Sequence, residues 1–383
     1  MVRMILKYLT PIVLGVVVFL TAKYLDGNPI SAVVETNLEQ VQTEQAMTEA
    51  TEAEKPENTE IAEPETAAPP VEETEPVQQR YVLTFAGDCT LGGVPENVAG
   101  GMGFLRVVGE NYTYPLQNVR PWFEEDDCTF VNLEGPLTDT GYPIRDALSF
   151  WGVEAYSAIL TEGSVEFASL SNDHIHDYGD IGYQNTQNVL EKAGIFSVER
   201  DKTSIITLEN GLTIGVYGAL LHEIKADTVK REIAALRESG VDVVIFVPHW
   251  GYENTYMPRT EDKALAYAAI DAGADIVFGT HPRVLQPVEQ YHDGIILYSV
   301  GSLCVGGYLY PEDMDTALIQ VTLTRDADGR IFVESWDAVP CSISSEEEWN
   351  NFQPTPYAAG SKEYQRVMSK LEGTWKASDR YTN

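Results

Sequence analysis

The sequence predicts an α/β domain, and two observations carry that prediction. From Tyr81 onward short apolar runs alternate with amphipathic stretches of helical period, and each apolar run ends in a polar cluster. The runs YVLTFAG, CTFVNL, VEFASLS, GLTIGVYGAL, VDVVIFVPHW, ADIVFGT and IILYSV read as strands. Between them Gly182 to Ala193, Thr228 to Glu238 and Glu261 to Ala272 read as helices, the last passing through Gly273 into a strand. ALIQVTLT and IFVESWDAV add strands, and a polar helical segment follows from Ser361 to Thr374. No internal repeat of fixed period is present.

The N-terminus sets the expected compartment. Tyr8 to Ala22 carry no charge, Arg3 and Lys7 precede them and Lys23 follows. A membrane span needs about 20 residues, roughly 17 at the least, and Met4 to Tyr24 reach that length if Lys7 and Lys23 snorkel to the headgroups. A cleavable signal fits the length too. No A-x-A site follows, however, and Lys23 sits where small residues are wanted, so an uncleaved anchor with its basic end inside is expected. The domain then lies outside the cell membrane. Residues 26–79 hold 14 acidic residues and one lysine, Lys55, and cannot bury enough apolar surface to fold. The expected organisation is an anchor at 1–25, a disordered acidic linker at 26–79, the α/β domain at 80–340 and a C-terminal extension at 341–383 that packs on or trails it.

The formal net charge is -34. Taking away the linker's -13 and the +3 of residues 1–25 leaves -24 for residues 80–383. Nucleic-acid binding, which needs a basic footprint, is thereby close to excluded. Cys89, Cys128, Cys304 and Cys341 show no CxxC or CxxH spacing, which removes zinc fingers and thioredoxin-type motifs. An oxidising compartment permits a disulfide, and Cys304 with Cys341 is the pairing expected from their shared place in the C-terminal part.

In open α/β sheets ligands gather beyond the carboxyl ends of the strands. Five strand ends are polar: Gly87-Asp88, Asn132 to Gly135, Asn172-Asp173-His174, His249-Trp250-Gly251 and Thr280 to Arg283. Together they bring Asp, Glu, Asp, His and His to one edge, the donors that a divalent transition metal takes. Taken singly each is bland, since an Asp after a strand is usually a helix N-cap. Yet four of the six histidines, His174, His176, His249 and His281, fall in this set.

In order, GDCTLGG, VNLEGPLT, SLSNDHIHDYG, VPHWGYE and GADIVFGTHPRVLQPVEQY followed by IILYSVGSL resemble the CapA/PgsA family of poly-γ-glutamate capsule synthesis proteins. The domain of that family is similar to calcineurin-like metallophosphoesterases. The likeness runs from about Leu83 to Leu303. It implies a four-layer αββα fold, two packed sheets flanked by helices with the site at the strand ends. Carried over residue by residue, it implies Asp88 as a ligand of one metal, Glu134 as the carboxylate between two metals, and His249 and His281 as ligands of the other, with Asp173 standing where the family usually has the second Asn of an Asn-Asn-His run. It implies His174 as the proton donor to a leaving group, which an imidazole near neutrality can be. Asp177 either orients that imidazole or caps the next helix.

Two departures reduce the implied site. Where the family reads His-Pro-His, this chain reads His281-Pro282-Arg283, and a guanidinium cannot ligate a metal. Thr90 stands where a further histidine would follow the first Asp. The expectation is therefore one divalent ion (Mn, Zn or Fe) on Glu134, Asp173, His249 and His281. Arg283 is expected to replace the missing cation by pairing with Asp88, or to bind a substrate carboxylate or phosphate.

Aromatic Trp250, Tyr252 and Tyr178 read as core edges more readily than as a polymer groove. No Ser-His-Asp or Gly-x-Ser-x-Gly arrangement is visible. Two functions stay open: a metal-dependent hydrolase or transferase on a phosphoester or on an extracellular polymer such as poly-γ-glutamate, and a non-catalytic assembly or export component that binds the polymer or membrane synthase subunits. A domain of -24 repels a polyanion unless metals, or basic residues such as Arg283, Arg259 and Arg145, screen it.

Overall fold

A computed structural model describes residues 79–94, 102–144, 148–220 and 225–376. The expected anchor, the linker apart from Gln79, and Arg145 lie outside the described residues. Among the described residues no helix is long and apolar enough to cross a membrane.

In chain order the described residues form β1 (Gln79–Thr90), α1 (Phe104–Val108), α2 (Arg120–Glu124), β2 (Cys128–Leu133), α3 (Ser157–Glu162), β3 (Phe167–Ser169), α4 (Gly179–Ala193), β4 (Phe196–Val198), β5 (Lys202–Thr207), β6 (Thr213–Leu220) and α5 (Ala226–Glu238). They continue with β7 (Val243–His249), α6 (Thr260–Asp271), β8 (Ile276–Phe278), β9 (Val288–Tyr291), β10 (Gly294–Leu297), β11 (Ser302–Val305), β12 (Asp315–Arg325), β13 (Ile331–Ser342), β14 (Thr355–Pro356) and α7 (Lys362–Leu371). Every run read as a strand contributes one. The strands that the pattern does not show, such as β4, β5, β9 and β11, are short or lie at sheet edges, where an apolar run is not required.

The strands make two sheets. One runs β14-β13-β12-β1-β2-β3-β4 with β11 also on β1, the other β5-β6-β7-β8-β10-β9. β1 to β4 and β11 are parallel, as are β6, β7, β8 and β10, whereas β12 to β14, β5 and β9 pair antiparallel.

Alternation along the strands builds the layers, because successive side chains point to opposite faces. In β7, Val243, Ile245 and Val247 enter a core between the sheets, while Val244 and Phe246 join Val229, Ile233 and Ala266 of α5 and α6. In the first sheet Phe130 faces that same central core, and Val131 faces outward to Phe104, Ile159 and Leu190 of α1, α3 and α4. Helix, sheet, sheet and helix therefore stack as four layers.

The polar helix near the C-terminus packs on the first sheet. Val367 and Leu371 of α7 enter the central core, and charge holds the helix in register. Arg366 donates from Nε and Nη2 to both oxygens of Asp315 at 2.7 Å, and buried Lys370 reaches Asp313 at 2.6 Å and Asp315 at 2.7 Å. The 340/341 boundary drawn from sequence falls inside β13.

The expected Cys304–Cys341 disulfide is not formed, and all four cysteines are free and buried. Cys304 on β11 stands opposite Cys89 of β1, whereas Cys341 on β13 stands opposite Thr316 of β12, so different neighbours separate the two.

Burial alone would raise the Asp315 carboxyl, but Arg366 and Lys370 outweigh it and hold it below its ordinary value of 3.8. A carboxylate whose folded value is lowered stabilises fully above the ordinary value and loses that contribution as pH falls below it. Asp315→Asn is therefore expected to lower stability by about 3–5 kcal/mol at pH 7, read from urea midpoints, with the deficit shrinking in acid. An equal deficit at both pH values would show that the ion pairs are not its source.

Candidate metal centre

Both sheets end at the site: β1, β2 and β3 deliver Asp88, Glu134 and the Asn172–His174 segment, and β7 and β8 deliver His249 and His281. Close backbone contact fixes the first of these. A Cβ at Gly87 would lie 1.9 Å from the carbonyl oxygen of Gly301, so glycine is required there, and the Asp88 amide donates to that same oxygen at 3.1 Å. On the other sheet His281 and Arg283 adopt left-handed φ of 97° and 61°. Such conformations cost about 1–3 kcal/mol each and persist where surrounding structure imposes them.

One atom from each of Glu134, Asp173, His249 and His281 lies within 4.8 Å of all the others, a grouping that can hold a metal ion. His249 Nε2 is 3.0 Å from Asp173 Oδ1 and 3.1 Å from His281 Nδ1, while its Nδ1 is 2.9 Å from Thr280 Oγ1, which orients the ring. Burial would raise the Asp173 carboxyl, but His249, His174 and His281 outweigh it and hold it well below the usual carboxylate range. Glu134 Oε2 is buried without a hydrogen-bond partner, as is Asp88 Oδ2. Two imidazoles, two carboxylates and an unpartnered buried oxygen suit a divalent transition ion.

Asp88 is held beside this grouping by a relay of amides. Asn132 Nδ2 donates to Asp88 Oδ1 at 2.8 Å, and Asn172 Nδ2 donates to Asn132 Oδ1 at 3.0 Å and to the Leu133 carbonyl at 2.8 Å. Burial, together with the nearby Glu134 carboxylate, pushes the Asp88 carboxyl up to about 7.

His174 stands next to Asp173, its Nε2 3.9 Å from Asp173 Oδ2. Its Nδ1 is 2.6 Å from Asp177 Oδ2, which also accepts from the Phe150 amide at 2.7 Å. Of the two readings of Asp177, the contacts are those of orientation, and α4 has no side-chain cap. Burial by itself would depress the imidazole; the Asp177 hydrogen bond and the carboxylates of Glu134 and Asp173 outweigh it and raise it above its ordinary value. The ring of Phe150 lies against His174 at 4.1 Å between centroids.

Arg283 is buried and pairs with Glu134, its Nη2 donating to Oε1 at 2.8 Å. That corrects the expected partner, Asp88. Phe150 and Tyr308 flank the guanidinium at 5.3 and 5.1 Å, and Glu253 Oε1 lies 3.2 Å from Nε without hydrogen-bond alignment. Arg283 and Tyr308 border a cleft of about 190 Å³ that Tyr310 and Asp313 also line. Asn350 pins this wall by donating to the carbonyls of Val305 and Tyr308 at 2.7 and 2.9 Å. Arg259, expected as a screening charge, is committed to Asp262 at 2.6 Å. Trp250 is a core residue whose Nε1 donates to the Tyr298 carbonyl at 2.8 Å.

The relay asparagines lie inside the motifs but carry no signal of their own in a sequence. Phe150 and Tyr308 come from loops, and nothing local marks them.

Comparison with known sequences matches residues 82–306 to the family described as Bacterial capsule synthesis protein PGA_cap. The chain is similar to the PGA biosynthesis protein CapA of Bacillus subtilis (strain 168), 27% identical over 289 residues that cover 69% of this chain and 74% of the relative. It is similar also to the Capsule biosynthesis protein CapA of Bacillus anthracis, 28% identical over 305 residues covering 72% and 70%. Among solved structures the NAD nucleotidase of Haemophilus influenzae aligns at a TM-score of 0.39 and 12% identity over 77% of this chain and 63% of that one, too distant to carry an argument.

If Asp177 is what raises His174, Asp177→Asn in chelator-treated protein lowers the imidazole pKa, and less of it is protonated at neutral pH. Nitrogen-15 NMR titration of the ring reads this directly, and an unmoved titration would refute the assignment.

Proposed function

The chain belongs to the bacterial capsule synthesis protein family PGA_cap, and from that membership we propose that it works in the synthesis or export of poly-γ-glutamate or a related cell-envelope polymer. In this reading the first 25 residues anchor it in the cell membrane, the acidic segment spaces the domain away from the bilayer, and the domain acts outside, beside membrane synthase or export subunits.

The observation that carries an enzymatic role is the convergence of Glu134, Asp173, His249 and His281 with the His174–Asp177 pair alongside. These four residues would hold one divalent ion, manganese, zinc or iron. Such an ion supplies a Lewis acid for a phosphoester or amide oxygen and positive charge against an anionic polymer. The protein's own part is acid–base chemistry. Asp177 fixes Nδ1 of His174 and raises its pKa, which favours a proton on Nε2 that a leaving amine or alkoxide needs. Phe150 shields one face of that ring from water.

A second reading, a non-catalytic assembly component, draws on a different observation. One oxygen of Glu134 is committed to Arg283, which leaves a smaller donor set than a paired-metal centre would need.

Metal content by mass spectrometry separates these. The full-length chain is expected to hold one equivalent, and a variant with Asp173, His249 and His281 all changed to alanine none. Turnover of γ-linked polyglutamate or a phosphoester that follows the metal supports the hydrolase or transferase. Bound metal with no turnover on either supports the assembly role, and the absence of metal after reconstitution with all three ions would end the metal reading.

A further inference from the structure

Arg283 cannot ligate a metal, yet it sits among the ligands. Its charge is permanent, it is 9% exposed, and the carboxylates of Asp88 and Glu134 beside it are wholly buried at 0%. Two carboxylates brought together in a dry site need a facing proton or cation. The guanidinium supplies one, its Nη2 on Glu134 Oε1 at 2.8 Å and its plane held by Phe150 and Tyr308. Glu134 thus divides its oxygens, Oε1 to Arg283 and Oε2 to no protein donor, and Asp88 Oδ2 likewise has none. The left-handed turn at His281 and Arg283 brings a ligand imidazole and a cation from one tripeptide to the same carboxylate.

We propose that Arg283 is a tethered cation that does the work of a second metal ion on the Asp88–Glu134 side of the site, so that the chain takes up a single divalent ion and binds it against the repulsion of a fixed charge. This rests on the reading that Glu134, Asp173, His249 and His281 accept a divalent ion. A residue that only positioned Glu134 would behave in the opposite way. Its removal would weaken the first ion, whereas removing a nearby positive charge strengthens cation binding.

The test is equilibrium dialysis of the full-length chain and its variants against Mn²⁺ or Zn²⁺, with bound metal counted by mass spectrometry and folding checked by thermal melting. The parent and Arg283→Lys, which keeps the charge, are expected to bind one equivalent. Arg283→His is expected to bind two. Arg283→Gln is expected to bind its first ion about tenfold more tightly or better. Two equivalents in the parent or in Arg283→Lys, or one in a folded Arg283→His, would overturn the proposal. So would weaker binding of the first ion by folded Arg283→Gln, and either neutral variant decides the matter if the other fails to fold. A parent that binds no ion at all removes the metal reading and this proposal together, an outcome distinct from failure at Arg283, where the parent still binds one.

Discussion

Phe85 of β1 and Phe278 of β8 meet across the two sheets with their ring centroids 5.1 Å apart, and the site depends on that contact. Each ring lies three residues before a site residue, Asp88 on one strand and His281 on the other. Phe85 also stacks on Phe130 at 5.1 Å, and Phe130 packs on Phe167 at 4.7 Å, so β2 and β3 are set by the same apolar seam. Cores are packed as densely as organic crystals, and one sheet cannot slide on the other without opening voids. The strand ends of both sheets are therefore held at fixed distances, and side chains from five strands can share a site a few ångströms across. Local chain geometry only finishes what this seam begins, through the close approach of Gly87 to Gly301 and the strained turn at His281.

Charge at the site is arranged as tightly as the apolar seam beneath it. Buried carboxylates that converge must be neutralised, either by protons, as burial and Glu134 press on Asp88, or by cations. The His249–His281 side has imidazoles, and the opposite side has Arg283. Arg259 and Arg283, two of the residues expected to screen the acidic domain, are both paired with internal carboxylates.

The architecture is legible in the sequence wherever a strand is buried on both faces, because a continuous apolar run such as VDVVIFV has few other ways to fold. The grouping of Asp173, His249 and His281 is legible because each follows such a run directly. What the sequence does not show is the direction of side chains across space. Arg283 lies 195 positions from Asp88 and 149 from Glu134, and which of the two it meets depends on a left-handed backbone at a residue that is not glycine. The cysteines fail in the same way, since position along the chain says nothing of which strands are neighbours. The amide relay joins Asn172, in the loop after β3, through Asn132 of β2 to Asp88 of β1, and the parallel register of these strands lines them up.

The C-terminal helix bears on when the site becomes complete during biosynthesis. The loop that walls the cleft, carrying Tyr308 and Asp313, is held by Asn350 and by Lys370, which reaches across from α7. Strand β1, with Asp88, is made some 280 residues before Lys370. A chain leaving the ribosome has therefore made every strand from β1 to β13 before Lys370 is available to fasten the wall beside Arg283. The residues that converge at the site are thus made well before the helix that fastens the cleft wall beside it, so the cleft is the last part of the site to be finished.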